Sequence, residues 1–167
     1  AFTTKTAVYV LLHMFPGTEL LIVLGGIMAI YGIIYALLEN NIRRVLAYSI
    51  VNQVGFMLIG IGIGTDLALN GAAAQAFVHI LYKGLLLMTA GAVMYQTGKE
   101  KCTDLGGLFQ SMPLTTACAV IGALTVMAFP LTSGFVTKAM ISSAAAKEHL
   151  VWTWLLLQVG AAGAVLH

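Results

Sequence analysis

The 167-residue chain is 60% hydrophobic and only 8% charged, with a mean hydropathy of +0.96. Soluble domains sit near about 45–50% apolar and about 25% charged, so a water-soluble fold is excluded and the surplus apolar surface belongs against lipid. The net charge of +2 is too small to imply nucleic acid, and the long apolar runs exclude a membrane barrel, which would show short alternating strands. The expectation is an all-α, polytopic transmembrane bundle of about six helices at ~20 residues per crossing.

A first helix is expected from Thr4 to Met14, ending at the breaker Phe15-Pro16-Gly17. It is too short to cross alone. The chain opens on Ala1 with its first apolar run already under way by Thr6, and it closes at His167 directly after another apolar run. It therefore reads as an interior piece of a longer protein. A second helix, Thr18 to Leu38, is long enough to cross, and Thr18 is placed to cap it. Glu39-Asn40-Asn41-Ile42-Arg43-Arg44 is the most polar stretch and belongs at a water interface.

The third helix, Val45 to Gly64, carries a polar face of Tyr48, Ser49, Asn52 and Gln53, and a Gly60/Gly64 pair that would admit a close neighbour. The fourth runs from Leu67 to Gln96. A polar connection from Gly98 to Met112 precedes Pro113, which suits the first turn of a fifth helix. That helix is interrupted at Pro130-Leu131-Thr132-Ser133-Gly134 and resumes from Phe135 to Ala146, and a sixth runs from Leu150 to Leu166. Alternate crossings place Arg43, Arg44, Lys99 and Lys101 on one side and Lys147 on the other. The bias puts the first two loops in the cytoplasm.

The fourth helix holds the most informative residues. Gln75, His79 and Lys83 are four apart, each about 40° round the helix from the last, so they share one face. An ionisable group at membrane depth costs at least roughly 2.5–3.5 kcal/mol. Lys83 lies ~24 Å from the helix start at ~1.5 Å per residue, too deep to snorkel easily. A buried ammonium is either paired or gives up its proton, and His79, one turn away, changes charge near neutral pH with little perturbation. Gln75 and Tyr82 can orient water or bond to a neighbouring helix. Lys138 follows the interruption, where unwound backbone and Ser133 offer polar groups to a cation.

Each feature has a plainer reading: a structural hydrogen bond for His79 and Lys83, an ordinary proline kink beside Lys138, an interfacial anchor for Lys5. His13 reads as interfacial, and Arg43 and Arg44 as topology determinants. Cys102 and Cys118 lack metal-ligand spacing and read as unpaired thiols. No nucleophile triad, phosphate loop or haem motif is evident, and every carboxylate falls in or beside a predicted loop. No cofactor is expected in this chain.

These segments resemble the antiporter-like membrane subunits shared by respiratory complex I and the Mrp-type multisubunit cation/proton antiporters. The carrying stretches are Lys5-Thr6-Ala7-Val8-Tyr9, Ile42-Arg43-Arg44-Val45-Leu46-Ala47-Tyr48-Ser49, Asn52-Gln53-Val54-Gly55-Phe56-Met57, His79-Ile80-Leu81-Tyr82-Lys83-Gly84-Leu85-Leu86, Gly106-Gly107-Leu108 with Met112-Pro113, and Pro130 through Lys138. Leu37-Leu38-Glu39-Asn40-Asn41 and Val51-Asn52-Gln53 lean toward the D-type member of the Mrp antiporters.

The resemblance implies a midplane row of proton-relaying residues, Lys5, His79, Lys83 and Lys138, within residues 1–167 as the C-terminal part of a proton-conducting domain whose earlier helices are missing. Gln75 stands where some relatives have another histidine. The expected setting is a bacterial inner membrane, with other membrane subunits as partners and protons, with Na+, as the ions moved. The alternative is a proton-pumping subunit of an NADH:quinone oxidoreductase or related respiratory complex. A third reading is a packing subunit whose buried charges select helix partners.

Overall fold

The computed structural model describes residues 3–166. Their helices are α1 (Thr3–Met14), α2 (Glu19–Leu38), α3 (Ile42–Ile63), α4 (Asp66–Thr97), α5 (Leu108–Ser111), α6 (Pro113–Val126), α7 (Ser133–Lys147) and α8 (Val151–Leu166), with a 3-10 turn at Cys102–Asp104. The six expected helices are α1, α2, α3, α4, the α6–α7 pair and α8; only the one-turn α5 is additional. Helices α2, α3 and α4 are each long and apolar enough to cross a membrane.

Helix ends follow local chemistry, and three expectations shift. Thr18 occupies the N-cap position of α2 but makes no side-chain cap; its hydroxyl donates to Phe15 O at 3.1 Å, closing the preceding turn instead. Asn41 caps α3 by accepting from Arg43 N at 3.0 Å, so α3 begins three residues earlier than Val45 and takes Arg43 and Arg44 into its first turn. The Gly60/Gly64 pair divides. Gly60 lies against Ala68 and Ala72 of α4, whereas Gly64 is the left-handed C-cap of α3 at φ 74° and packs on Gly17.

The tightest packing joins α2 to α3. A methyl group on Gly55 would sit 2.6 Å from Gly25 O, and one on Gly32 would sit 2.6 Å from Asn52 N, so the two backbones touch directly. Residues 52–62 of α3 are buried without a gap, which makes α3 the central helix. Val54, Met57, Leu58 and Ile61 meet Val8, Leu21 and Ala72 on one side; Phe56 and Ile59 meet Ile141, Ala145 and Leu157 on the other. Outward faces stay apolar, as with Val23, Ile27 and Leu38 of α2 or Phe77, Leu81 and Met88 of α4. In lipid such a face carries no penalty.

The interruption is a built joint. Ala128 takes a left-handed φ of 58°, Ala128 N bonds Thr125 O at 3.2 Å and Phe129 N bonds Leu124 O at 3.0 Å. This is a Schellman ending, three residues before the expected stop at Phe129. Pro130 cannot continue the helix, Leu131 is again left-handed at φ 76°, and α7 starts at Ser133.

The bundle has two polar ends. At one, Ile42 N bonds Glu100 O at 3.1 Å and Cys102 N bonds Asn40 O at 2.8 Å, while the Asn41 amide donates to Glu100 Oε2 at 3.0 Å. The two basic loops expected to share a side are therefore strapped together. At the other end Gly17, Glu19, Gly62, Ile63, Glu148 and Leu150 line a common cleft. Leu108 and Ala119 lie with Ile42 and Cys102 at the first end and Glu148 lies at the second, so α6 and α7 together cross once.

Candidate functional site

Besides Tyr82, four ionisable side chains are buried among the described residues: Lys5 on α1 at 7% exposure, His79 and Lys83 on α4 at 0%, and Lys138 on α7 at 5%. None meets a carboxylate among the described residues; the one ion pair there, Arg44–Glu39 at 3.5 Å, lies at the strapped end. His79 interacts electrostatically with Lys5, Lys83 and Lys138, and Lys83 with Lys138 and Lys5. The four groups expected from the sequence are thus all inside the bundle, on α1, α4 and α7.

Their partners are neutral. Lys83 Nζ donates to Ser49 Oγ of α3 at 2.6 Å. Both sites are fully buried, and a hydroxyl accepts from an ammonium or donates to a free amine, so this bond survives either protonation state. Lys138 Nζ donates to Val126 O at 2.7 Å and lies 5.6 Å from the Phe56 ring centroid. The Schellman ending satisfies the carbonyls of Leu124 and Thr125 and leaves that of Val126 free for the lysine. Lys5 Nζ donates to Thr4 Oγ1 at 3.3 Å.

An amide cluster joins α3, α4 and α7. Gln75 Nε2 donates to Gln53 Oε1 at 3.0 Å and to the Tyr82 hydroxyl oxygen at 3.2 Å, and Gln75 Oε1 accepts from the Thr137 hydroxyl. The Tyr82 ring meets His79 edge-on at 5.1 Å. Both His79 ring nitrogens and Gln53 Nε2 are buried without a hydrogen-bond partner.

Not every expected residue joins this network. Asn52 is fully buried, but its amide is unpartnered and faces Gly160 of α8. Ser133 begins α7 with an exposed side chain, and contributes its carbonyl, 3.2 Å from the Thr137 hydroxyl. His13 is exposed and pairs edge-on with Tyr9 at 4.5 Å. Cys102 is exposed and Cys118 half-buried, both as free thiols. Sequence reasoning missed Thr137, Phe56 and the Val126 carbonyl. A threonine beside the singled-out Lys138 was the one available signal; nothing in the residue type marks a backbone carbonyl.

Residues 1–163 match the family model for the transmembrane region of NADH:quinone oxidoreductase/Mrp antiporter proteins. The chain belongs to this family. It is an integral membrane protein. It is 36% identical over 149 residues to the N subunit of the NADH-quinone oxidoreductase of Desulforudis audaxviator, covering 83% of this chain and 30% of that one. It is 32% identical over 167 residues to the D subunit of the Na(+)/H(+) antiporter of Alkalihalophilus pseudofirmus, covering 94% and 34%. The chain thus spans about a third of these relatives.

Among solved structures, the Mrp complex from Dietzia sp. superposes with a TM-score of 0.93 over 98% of this chain and 32% of that one, at 23% identity, a likeness of fold. A membrane-bound sulfane sulfur reductase, an archaeal respiratory membrane complex, superposes with a TM-score of 0.83 at 27% identity, covering 89% and 30%.

Proposed function

We propose that this chain is the proton-conducting part of an antiporter-like subunit in a multisubunit monovalent-cation (Na+)/proton antiporter. Protons pass along Lys5, His79, Lys83 and Lys138, and the other membrane subunits of the complex are its partners. The observation that carries this reading is the set of three lysines and a histidine, all buried, with the lysines hydrogen-bonded to neutral groups and none of the four meeting a carboxylate among the described residues. Like charges crowded in a medium of low polarity repel strongly, so a proton arriving at one group favours departure from another. A purely structural ammonium would be expected to hold a fixed counter-charge.

The basic loops at the strapped end face the cytoplasm in this reading, by the excess of Arg43, Arg44, Lys99 and Lys101 there, and the membrane is a bacterial inner membrane. In our reading the chain moves protons and takes no electron-transfer role. The test is Lys83→Met in the full-length protein, assembled with its partners in vesicles. The expected outcome is loss of proton-coupled cation exchange with normal assembly; undiminished exchange would remove Lys83 from the path.

A second reading, a proton-pumping subunit of a quinone-reducing or related respiratory complex, is favoured by the 36% identity to an NADH-quinone oxidoreductase N subunit. Vesicles given only a monovalent-cation gradient separate the two. Proton movement under that gradient supports the antiporter, and movement only on addition of an electron donor and acceptor supports the respiratory complex.

A further inference from the structure

We propose that the polar end opposite the strap carries a site for a hydrated divalent cation of the Mg2+ type. The ion is held between Glu19 of α2 and Glu148 of the α7–α8 turn, with the Thr153 hydroxyl of α8 bonded to its water shell. The inference stands apart from the relay reading above. All three residues line one cleft of 360 Å3, together with Gly62 and Ile63 at the end of α3.

The charge of this cleft is uncompensated. At the strapped end Glu39 pairs with Arg44 at 3.5 Å, and Glu100 accepts from the Asn41 amide at 3.0 Å. Among the described residues the side chains of Glu19 and Glu148 have neither an ion pair nor a hydrogen bond, and no lysine, arginine or histidine lines their cleft. Lys147 and His149 flank Glu148 in sequence but are exposed and pair with neither carboxylate. Helix ends do not make up the difference. Helices α2 and α8 start here and α3 and α7 finish here, so two partly positive ends oppose two partly negative ones. Two formal negative charges remain, which matches one divalent cation.

Thr153 is an independent observation on the same wall. It is 6% exposed, and its hydroxyl has no hydrogen-bond partner among the described residues. A hydroxyl both donates and accepts, so it suits a coordinated water as well as a carboxylate. Two carboxylates are too few for an all-protein cage, and among the described residues no three metal-ligating side chains gather. The chemistry that fits is that of Mg2+, which dehydrates reluctantly, keeps several waters and is held through one or two carboxylates. At about 30 Å3 per water, the cleft has room for the ion with its shell.

Such an ion would tie together elements that the backbone leaves separate. The strapped end is joined by Ile42 N to Glu100 O and Cys102 N to Asn40 O. In the α7–α8 turn, by contrast, Glu148 N, His149 N and Leu150 N bond only to Ala144 O, Ala146 O and Ala145 O of α7. No backbone hydrogen bond among the described residues joins this turn to α2 or α3. An ion between Glu19 and Glu148 is the counterpart of the strap at the second end.

The test uses the full-length complex in detergent and Mn2+, which takes the same oxygen ligands as Mg2+, with bound Mn2+ counted by electron paramagnetic resonance. Glu19→Gln and Glu148→Gln are each expected to bind one ion fewer than wild type, and Mg2+ is expected to displace that ion. Glu39→Gln, at the other end, is expected to keep the wild-type count. Thr153→Val is expected to weaken the site roughly 2- to 10-fold through loss of one hydrogen bond, and Thr153→Ser to restore it. As a second measurement, Mg2+ is expected to raise the thermal-inactivation midpoint of wild type and not of Glu148→Gln. A wild-type Mn2+ count in both glutamine variants, displacement by Na+ as effective as by Mg2+ at matched ionic strength, or the same midpoint response in wild type and Glu148→Gln overturns the proposal.

Discussion

Ser49→Ala tests the relay at its tightest contact. Lys83 is fully buried, and among the described residues its one hydrogen bond is the 2.6 Å contact to Ser49 Oγ. A hydrogen bond to a charged group contributes roughly 1.5–3 kcal/mol. Each ~1.4 kcal/mol is a factor of ten in rate, so deleting the hydroxyl should slow any step that places charge on Lys83 by about 10- to 150-fold. The volume removed is one oxygen atom, too little to collapse the α3–α4 contact. The assay is proton-coupled exchange in vesicles containing the full complex, normalised to assembled protein, with Ser49→Thr as the hydroxyl-retaining control. Exchange within about twofold of wild type in fully assembled Ser49→Ala would refute the idea that this bond supports a charged intermediate.

Three further outcomes follow from the packing and the loops. Gly55→Ala forces a methyl group to within 2.6 Å of Gly25 O; it should lower the thermal-inactivation midpoint of the purified complex, at about 1–3 kcal/mol or more. Gly84→Ala, where a methyl group meets nothing within 4 Å, should be neutral, and equal damage from both would contradict the backbone-contact argument. Ala128→Gly relieves a left-handed φ of 58° that costs an L-residue about 1–2 kcal/mol, so it should raise the same midpoint, whereas Ala128→Val should lower it. A membrane-impermeant maleimide applied to the cytoplasmic face should label Cys102 and spare the half-buried Cys118; labelling of Cys102 from the opposite face alone would reverse the orientation.

Much of the bundle was legible because lipid imposes a simple rule: apolar runs of crossing length become helices. The Gln75, His79, Lys83 stripe was visible for the same reason, since four-residue spacing against an apolar background makes three polar groups stand out. Lys138 was expected beside polar backbone and lies there, although the joint begins at Met127, where Ala128 adopts a conformation usually left to glycine. What stayed hidden depends on neighbours that no single run reveals. The division of Gly60 from Gly64 is set by what packs on each. The Thr137–Gln75 bond joins residues 62 positions apart, and Asn52 faces Gly160 of α8, far along the chain. Spacing, depth and the helix break singled out His79, Lys83 and Lys138, and the family resemblance added Lys5 to the candidate row; the neutral character of their partners came only from the folded arrangement.

The direct backbone contact between α2 and α3 also sets where the bundle can yield. Two helices whose main chains touch have no side-chain layer to compress, so together they behave as a stiff beam, and that beam carries Ser49 and Gln53. Lys138 rides instead on a half-helix hinged at residues 127–132, where no regular helix resists bending. The break at 127–132 is therefore where this part of the backbone has the fewest helical hydrogen bonds to hold its shape. Ser49 and Gln53 thus sit on the most closely packed pair of helices, and Lys138 and Thr137 sit just beyond a break in helix geometry.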